Sequence, residues 1–237
     1  MADEISSSES EDSGPYWVEW FIGLRGNELF CEVDGDYIID KFNLTGLSAD
    51  VEFYSQALDV IVDAMEAEEI GEADRAVIER SARHLYGLIH ARFILTGRGL
   101  VRMLEKFKYG KFGKCPRSLC QDQFVLPIGL TDVPRMKCVK LYCPKCEDVY
   151  DPPRKYASID GAYFGSTFPH LFLQTYPQCL PQKAYTLYKP HIFGFRVHQY
   201  SEEHRFQENL RDSMLNRLQR FAAEEKDIDR RKKNLIT

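Results

Sequence analysis

Four cysteines in two short motifs are the residues of this chain best suited to chemistry: Cys115-Pro-Arg-Ser-Leu-Cys120 and Cys143-Pro-Lys-Cys146. Paired thiolates at these spacings supply the ligands of a tetrahedral zinc ion, with Zn–S distances of about 2.3 Å. The chain between Cys120 and Cys143 is long enough for a hairpin or meander that brings both pairs to one ion. Since four sulfurs close the coordination shell, we expect one structural Zn²⁺ per chain.

Redox chemistry and disulfide bonds are the alternatives for these cysteines. A Cys-x-x-Cys redox pair requires a helix that begins at its first cysteine, whereas the residues around Cys143 and Cys146 are typical of a strand and a turn. The chain has an odd number of cysteines, seven. Together with an N-terminus unlike a signal peptide, this favours a reducing compartment and predicts free thiols at Cys31, Cys138 and Cys179.

The composition is that of a folded protein with an acidic surface. The chain has 237 residues, 44% of them hydrophobic, and a net charge of −5. That charge argues against a general nucleic-acid binder. For the same reason we expect no specific nucleic-acid partner. No apolar run approaches the roughly 20 residues of a membrane-spanning helix, so we expect no membrane partner either.

The elements that must position the cysteines begin with a helical domain. Residues 1–13 are predicted to be a disordered, acidic, serine-rich tail, and residues 14–110 an all-helical domain. Within it we expect a helix after Pro15, a short one over 37–42, a longer one capped by Ser48, one from Ala73 to Ile94, and a last one over 100–107. An acidic loop, residues 63–74, separates two of these helices.

After Gly110 the sequence changes to proline, glycine, cysteine and β-forming residues. Residues 111–176 are predicted to be a zinc-ribbon β domain with strands over 125–130 and 138–142, continued by 160–165, and without helical periodicity. Residues 177–200 are predicted to be an extended arm and 201–237 a charged helical tail. The fold class is therefore α+β.

Five long segments resemble one known family, the regulatory beta subunit of casein kinase II, over residues 16–198. They are Phe21-Ile-Gly-Leu-Arg-Gly-Asn-Glu, Asp36-Tyr-Ile-Ile-Asp-Lys-Phe-Asn-Leu-Thr-Gly-Leu, Leu85-Tyr-Gly-Leu-Ile-His-Ala-Arg-Phe-Ile-Leu-Thr, Lys140-Leu-Tyr-Cys-Pro-Lys-Cys and Asp160-Gly-Ala-Tyr-Phe-Gly-Ser-Thr-Phe-Pro-His. The resemblance implies a zinc ribbon that forms a homodimer, and a C-terminal arm that binds the catalytic alpha subunit.

The sequence itself argues against catalysis. It contains no glycine-rich phosphate loop followed by a strand lysine, no His-Arg-Asp catalytic loop and no Asp-Phe-Gly triplet. We therefore expect a non-catalytic regulatory protein.

Apolar residues around the zinc motifs could serve either a dimer interface or the core of the ribbon itself. The set comprises Pro116, Leu119, Phe124, Val125, Leu126, Ile128, Val139 and Leu141. Because a sheet this small relies on its metal for stability, loss of zinc should release both the ribbon and the dimer.

The arm carries the residues predicted to bind the kinase: Ile192, Phe193, Phe195, Val197 and His198. An extended strand would place Phe193, Phe195 and Val197 on one face, ready to enter a groove together. The resemblance implies that this segment is a hairpin that inserts into the catalytic subunit. Packing of the arm against the ribbon is the alternative.

The acidic loop is the third segment with a predicted role. Its carboxylates are Asp63, Glu66, Glu68, Glu69, Glu72 and Asp74. The resemblance implies that they modulate substrates and bind polyamines or basic protein segments, whereas most charged runs are only solvated surfaces.

Serines in the N-terminal tail are followed by acids. Glu9 lies three residues after Ser6, and Glu11 three after Ser8. The resemblance implies phosphorylation at Ser6, Ser7 and Ser8, and an unmodified tail is the alternative.

Together with the cysteine motifs, the resemblance implies a zinc-dependent homodimer that joins two catalytic subunits into a heterotetramer, stabilises them and modulates their activity and choice of protein substrates. The resemblance implies a location in cytoplasm and nucleus. The alternative is a nucleic-acid-binding zinc ribbon of the transcription-factor type, whose basic residues would be Lys108, Lys111, Lys114, Arg117, Arg135, Lys137 and Lys140.

Overall fold

The computed structural model describes residues 16–64, 72–182, 191–196 and isolated positions between 198 and 220. The chain divides into two compact units, Met1–Tyr185 and Thr186–Thr237. The described residues form α-helices and small antiparallel sheets, as the predicted α+β class requires.

Among the residues that the structure describes, five α-helices precede the cysteine motifs in the first unit. α4, with 22 residues, confirms the long helix predicted from Ala73 to Ile94. α5 is held at its start by Thr96, whose hydroxyl accepts a hydrogen bond from the Gly99 amide at 3.2 Å. The five are α1 (Trp17–Gly23), α2 (Gly35–Ile39), α3 (Tyr54–Ile61), α4 (Glu72–Phe93) and α5 (Gly97–Lys108).

The prediction that Ser48 caps a long helix is wrong. Ser48 lies inside a short 3-10 helix, Leu47–Ala49, and α3 begins only at Tyr54. Phe53, the residue before α3, has a φ of 51°. Because this left-handed conformation cannot continue an α-helix, it separates α3 from the 3-10 turn.

Two predictions for the C-terminal half of this unit need correction. A helix, α6 (Phe168–Thr175), lies in a region where the sequence predicted none. Its Phe172 ring packs against Phe107 of α5 at a centroid distance of 5.4 Å. Residues 160–165 continue the sheet domain only at their start, where Asp160 forms an isolated antiparallel bridge with Cys138. They add no strand, because Gly161–Tyr163 forms a 3-10 helix capped by the Asp160 side chain.

The sheet of the first unit has three short antiparallel strands, β1 (Leu126–Ile128), β2 (Lys140–Cys143) and β3 (Asp148–Tyr150), in that order. Leu126 pairs with Tyr142, and Cys143 pairs with Asp148. The two strand regions predicted at 125–130 and 138–142 are thus confirmed, with β3 closing a hairpin around the second cysteine motif.

One hydrophobic core runs through the first unit from Trp17 to Phe172. α4 contacts the segment after the sheet so closely that a Cβ on Gly87 would lie 2.5 Å from the Tyr163 ring. His90 of α4 is buried and hydrogen-bonded through Nδ1 to the Tyr163 carbonyl oxygen at 2.8 Å. The helices therefore form the platform on which the cysteine-bearing half is packed.

The second unit contains a small hairpin, β4 (His191–Ile192) and β5 (Phe195–Arg196). The described positions from 202 to 220 are helical, in agreement with the predicted tail helix. Among the described residues, no helix combines the length and apolar character needed to cross a membrane.

Candidate metal centre and partner-binding segments

The sulfur atoms of Cys115, Cys120, Cys143 and Cys146 converge at one point, all within 4.8 Å of one another. Sγ of Cys115 lies 4.0 Å from Sγ of Cys146, and the same distance separates Cys120 from Cys143. Four sulfurs at tetrahedral positions around a zinc ion would be about 3.8 Å apart. The donor set and its spacing therefore fit a four-coordinate Zn²⁺.

The first cysteine pair is held by a short antiparallel connection. The Cys115 amide donates to the Gln123 carbonyl oxygen at 2.8 Å, next to a β-bridge between Lys114 and Phe124. A 3-10 helix ending at Cys120 then turns the second sulfur inward.

The second pair lies on the β2–β3 hairpin. Cys143 ends β2, and the amide of Glu147 donates to its carbonyl oxygen at 2.9 Å. Glu147 has a φ of 55°, which reverses the chain directly after Cys146 and returns it into β3. Each cysteine pair is thus fixed by backbone hydrogen bonds that do not depend on the sulfurs.

The electrostatics of two of the four sulfurs, those of Cys120 and Cys143, favour a bound cation. Burial raises the pKa of Cys120 to about 11, and burial also raises the pKa of Cys143, against the opposing effect of the backbone amides of Cys146 and Lys145. Buried thiolates are unfavourable without a compensating charge. A divalent cation would provide it, which is the chemistry by which thiolates bind zinc.

Two side chains outside the sulfur set support the centre. The hydroxyl of Tyr150 lies 3.2 Å from Sγ of Cys146. Lys145 donates from Nζ to the Cys120 carbonyl oxygen at 3.2 Å and to the Gln121 side chain at 3.1 Å, which ties the two cysteine pairs together. Neither residue was identified from the sequence. Their positions next to Cys146 in the chain were the only indication that they could contact the metal centre.

The cysteines form no disulfide bonds. All seven lie among the described residues and all are free, including the predicted free thiols Cys31, Cys138 and Cys179. Burial raises the pKa of Cys31 to about 12, so this thiol is not a nucleophile at neutral pH. Cys143 and Cys146 lie on a β-hairpin and not at a helix N-terminus, the setting that a thioredoxin-like pair requires.

The apolar residues around the sulfur centre divide into two groups. Five of the eight fill the core of the unit: Val125, Leu126, Ile128, Val139 and Leu141. Of the other three, Leu119 is exposed, with 54% of its surface accessible, Pro116 is also exposed, and Phe124 is partly buried. Four further apolar side chains on the same half of the unit are exposed and were not identified from the sequence: Leu130, Val133, Met136 and Val149.

The described part of the arm is a hairpin, as the resemblance implied, and not the single extended strand expected from its residue pattern. Phe193 and Gly194 form the turn of the β4–β5 hairpin, with φ angles of 50° and 85°. Phe193 is 96% exposed at the tip, and the paired Ile192 and Phe195 are 59% and 78% exposed. Since a hairpin places directly opposed residues on one face, Ile192 and Phe195 form an apolar pair below the tip.

The structure describes one of the two further arm positions that were predicted to bind the kinase. His198 is exposed. Val197 lies outside the described residues.

The acidic loop is described only at its ends. Both carboxylate oxygens of Asp63 accept the Trp17 amide hydrogen, at 3.0 and 3.1 Å, so Asp63 caps the start of α1. Glu72 is the first residue of α4, and Asp74 is exposed two residues later. The predicted residues Glu66, Glu68 and Glu69 lie outside the described residues, as do Ser6, Ser7 and Ser8.

The basic residues proposed for nucleic-acid contacts are partly neutralised. Lys114 forms an ion pair with Asp122 at 3.2 Å, and Lys140 forms one with Asp151. These pairs reduce the positive charge available to phosphates.

Comparisons with known proteins agree with these features. A family model described as "Casein kinase II regulatory subunit" matches residues 16–196. Casein kinase II subunit beta of Schizosaccharomyces pombe is 54% identical over 226 residues, which cover 94% of this chain and 97% of that protein. Subunit beta-2 of Neurospora crassa is 51% identical, covering 94% of this chain and 78% of that protein. Subunit beta' of Saccharomyces cerevisiae is 43% identical, with coverages of 96% and 89%.

The fold and the site define an α+β protein with a four-cysteine centre suited to a structural metal. The chain belongs to the casein kinase II regulatory subunit family, whose members are non-catalytic.

Proposed function

We propose that this chain is a zinc-stabilised scaffold that dimerises, binds two catalytic alpha subunits of casein kinase II and forms a heterotetramer with them. Family membership over residues 16–196 supports the kinase as partner. The observation that carries the proposal is the β4–β5 hairpin, because it presents large apolar side chains to solvent.

Zinc would be held by the four sulfurs of Cys115, Cys120, Cys143 and Cys146, one ion per chain. It would supply no reaction chemistry, because four protein thiolates leave no open coordination position. Its effect would be to hold the two cysteine pairs together within the zinc ribbon. In the domain order expected from the sequence, this ribbon follows the helical domain and precedes the arm and the tail.

Dimerisation would use the zinc-ribbon half of the first unit. The exposed side chains of Leu119, Val133 and Met136 lie in this half. Exposed apolar surface of this kind is typical of protein interaction sites. Loss of zinc should therefore abolish the dimer as well as the ribbon.

The hairpin would insert its tip into a groove of the catalytic subunit. Burying a phenylalanine side chain stabilises a complex by about 1.5–3 kcal/mol, and Phe193 has almost its whole surface to bury. The preformed turn at Phe193 and Gly194 lowers the entropy cost of binding. The bound kinase would be activated to the extent that the hairpin contacts its active conformation more strongly than other conformations.

Regulation by charge is the remaining part of the proposal. The carboxylates of the acidic loop would attract basic substrate segments or polyamines and so bias substrate selection, and Ser6, Ser7 and Ser8 would be phosphorylated. The complex would act in cytoplasm and nucleus. Asp63 is excluded from the attracting set because it caps α1.

Replacement of the hairpin tip tests the proposal. Phe193→Ala removes the ring but keeps a Cβ, so the variant residue has the same steric cost at the φ of 50° as phenylalanine. It should weaken binding to a purified catalytic alpha subunit at least tenfold in calorimetric titrations. Phe42→Ala is the matched control, since Phe42 is also an exposed phenylalanine, at 84%, but lies in the first unit. Equal affinity of the Phe193→Ala variant and the unmodified chain would refute the role of the hairpin.

A further inference from the structure

A cavity of about 490 Å³ lies in the first unit, away from the sulfur centre. Arg80 and Arg83 reach it from α4, and Arg135 reaches it from the loop before β2. Apolar side chains, among them Phe21 and Ile159, complete its lining. We call it the arginine cavity.

The three arginines differ in whether their guanidinium groups already contact other side chains. Arg83 donates from Nε to Glu79 at 2.9 Å, and its guanidinium lies 5.3 Å from the centre of the Trp20 ring. Within the part of the chain that the structure describes, neither Arg80 nor Arg135 forms an ion pair. Two guanidinium groups therefore face the cavity without a carboxylate partner, in a protein whose net charge is −5.

The remaining titratable groups of the lining are His84, Glu52 and Tyr163. His84 is buried, with Nδ1 2.8 Å from the Tyr163 hydroxyl. Burial lowers the pKa of His84, and the charge of Arg135 lowers it further, so the ring is neutral at pH 7. Glu52 is the single carboxylate among the lining residues, against three guanidinium groups. The Asp160 carboxylate lies beside the lining, where it accepts the backbone amide hydrogen of Arg135.

We propose that the arginine cavity binds a phosphate monoester, with Arg80 and Arg135 contacting the phosphoryl oxygens. Guanidinium groups bind phosphate through pairs of parallel hydrogen bonds, and a phosphate monoester is close to a dianion at pH 7. The cavity is larger than a phosphate group, so the organic part of the ligand lies against the apolar lining at Phe21 and Ile159.

Tryptophan fluorescence gives a direct measurement, because the chain has only two tryptophans and Trp20 stacks on Arg83. The zinc-loaded full chain is titrated with inorganic phosphate, O-phosphoserine and sulfate, and the same titrations are repeated by calorimetry. We expect O-phosphoserine to bind more tightly than inorganic phosphate, because the cavity also accommodates the organic part. Absence of saturable binding by both methods would overturn the proposal.

Matched variants locate the site. Arg80→Gln and Arg135→Gln should each weaken O-phosphoserine binding about tenfold, as expected for loss of charge-assisted hydrogen bonds. Glu52→Gln should strengthen binding, because it removes the opposing carboxylate. Arg154→Gln is the control, since Arg154 is exposed outside the cavity. An equal loss of affinity in the control, or none in the other two arginine variants, would contradict the assignment; unchanged thermal unfolding excludes misfolding.

Phosphate monoesters reach a protein as phosphorylated side chains or as small metabolites. A short peptide with one phosphoserine and a nucleoside 5'-monophosphate distinguish these sources, since only the preferred one should bind more tightly than O-phosphoserine. The measurements need no kinase subunit, so their outcome does not depend on the proposed scaffold function.

Discussion

Replacement of Tyr150 by phenylalanine tests how the residues around the sulfurs support the metal. The Tyr150 hydroxyl lies 3.2 Å from Sγ of Cys146. The pKa of Tyr150 is raised, first by burial and next by its hydrogen bond with Cys146, so the hydroxyl keeps its proton and can donate to a thiolate. Tyr150→Phe removes this one hydrogen bond and leaves the ring in place.

The size of the effect follows from the surroundings of the bond. Hydrogen bonds to charged groups contribute about 1.5–3 kcal/mol, and Cys146 is the one sulfur of the four that is only partly buried. The lower end of this range applies because solvent competes for the thiolate. A loss of about 1.5 kcal/mol corresponds to about tenfold weaker zinc binding, within the range found for residues that support metal ligands.

Competition with a chromophoric zinc chelator at pH 7.5 measures this change. Tyr142→Phe is the control, because Tyr142 lies on the adjacent strand β2 and no hydrogen bond from its hydroxyl to a sulfur is present among the described residues. The Tyr142 variant should bind zinc like the unmodified chain. If Tyr150→Phe left zinc affinity unchanged, Tyr150 would not donate to the metal-bound thiolate, and the argument from its position would fail.

Three further predictions concern the helical platform. Gly87→Ala should destabilise the fold by about 1–3 kcal/mol, because the added Cβ would lie 2.5 Å from the Tyr163 ring; urea unfolding measures it. Lowering the pH should destabilise the fold through His90, whose pKa is lowered to about 4 by burial while its unfolded value is about 6.5. Because the unfolded state then binds the additional proton, this contribution is complete above pH 6.5 and falls as the pH decreases towards 4, by as much as roughly 3 kcal/mol. Asp63→Ala should reduce stability by about 1 kcal/mol, because the Trp17 amide loses its acceptor at the start of α1.

Each of these predictions has a result that would contradict it. For Gly87→Ala it is an unfolding curve identical to that of Gly23→Ala, a position with open space around the glycine. For His90 it is constant stability between pH 7 and 5 while the zinc content, measured in parallel, also stays constant. For Asp63 it is a loss no greater than that caused by Asp74→Ala at an exposed position of α4.

The sulfur centre was predictable from the sequence because the cysteine spacing restricts the geometry so strongly. Both cysteine pairs and the strands over 125–130 and 138–142 follow from local residue types. The partners Tyr150 and Lys145 did not follow, because their contacts depend on how the two hairpins face each other in space.

The helices were predicted less evenly. α4 has a long apolar periodicity and was found, whereas α6 was missed because it is only eight residues long and follows a glycine- and proline-rich region. Pro169 in its first turn was the available signal. The left-handed conformation of Phe53, which delays the start of α3, has no such signal, since phenylalanine rarely adopts it.

The arm shows a similar limit. Its apolar residues were recognised, but an alternating pattern over 193–197 predicted one strand, whereas the structure turns at Phe193 and Gly194. A glycine between two aromatic residues was the sign of a turn. The hydrogen bond of Asp63 could not be predicted for a different reason, because its partner Trp17 lies 46 residues away in the chain.

The mass of the complex formed with a catalytic alpha subunit of casein kinase II tests the central claim most directly. Sedimentation equilibrium on the purified mixture, with zinc analysis of the same sample, should give two copies of this chain, two catalytic subunits and one zinc ion per chain. Cys143→Ala should lose the zinc, the dimer and the four-subunit complex together. A zinc-loaded chain that sediments as a monomer and does not bind the catalytic subunit would contradict the account.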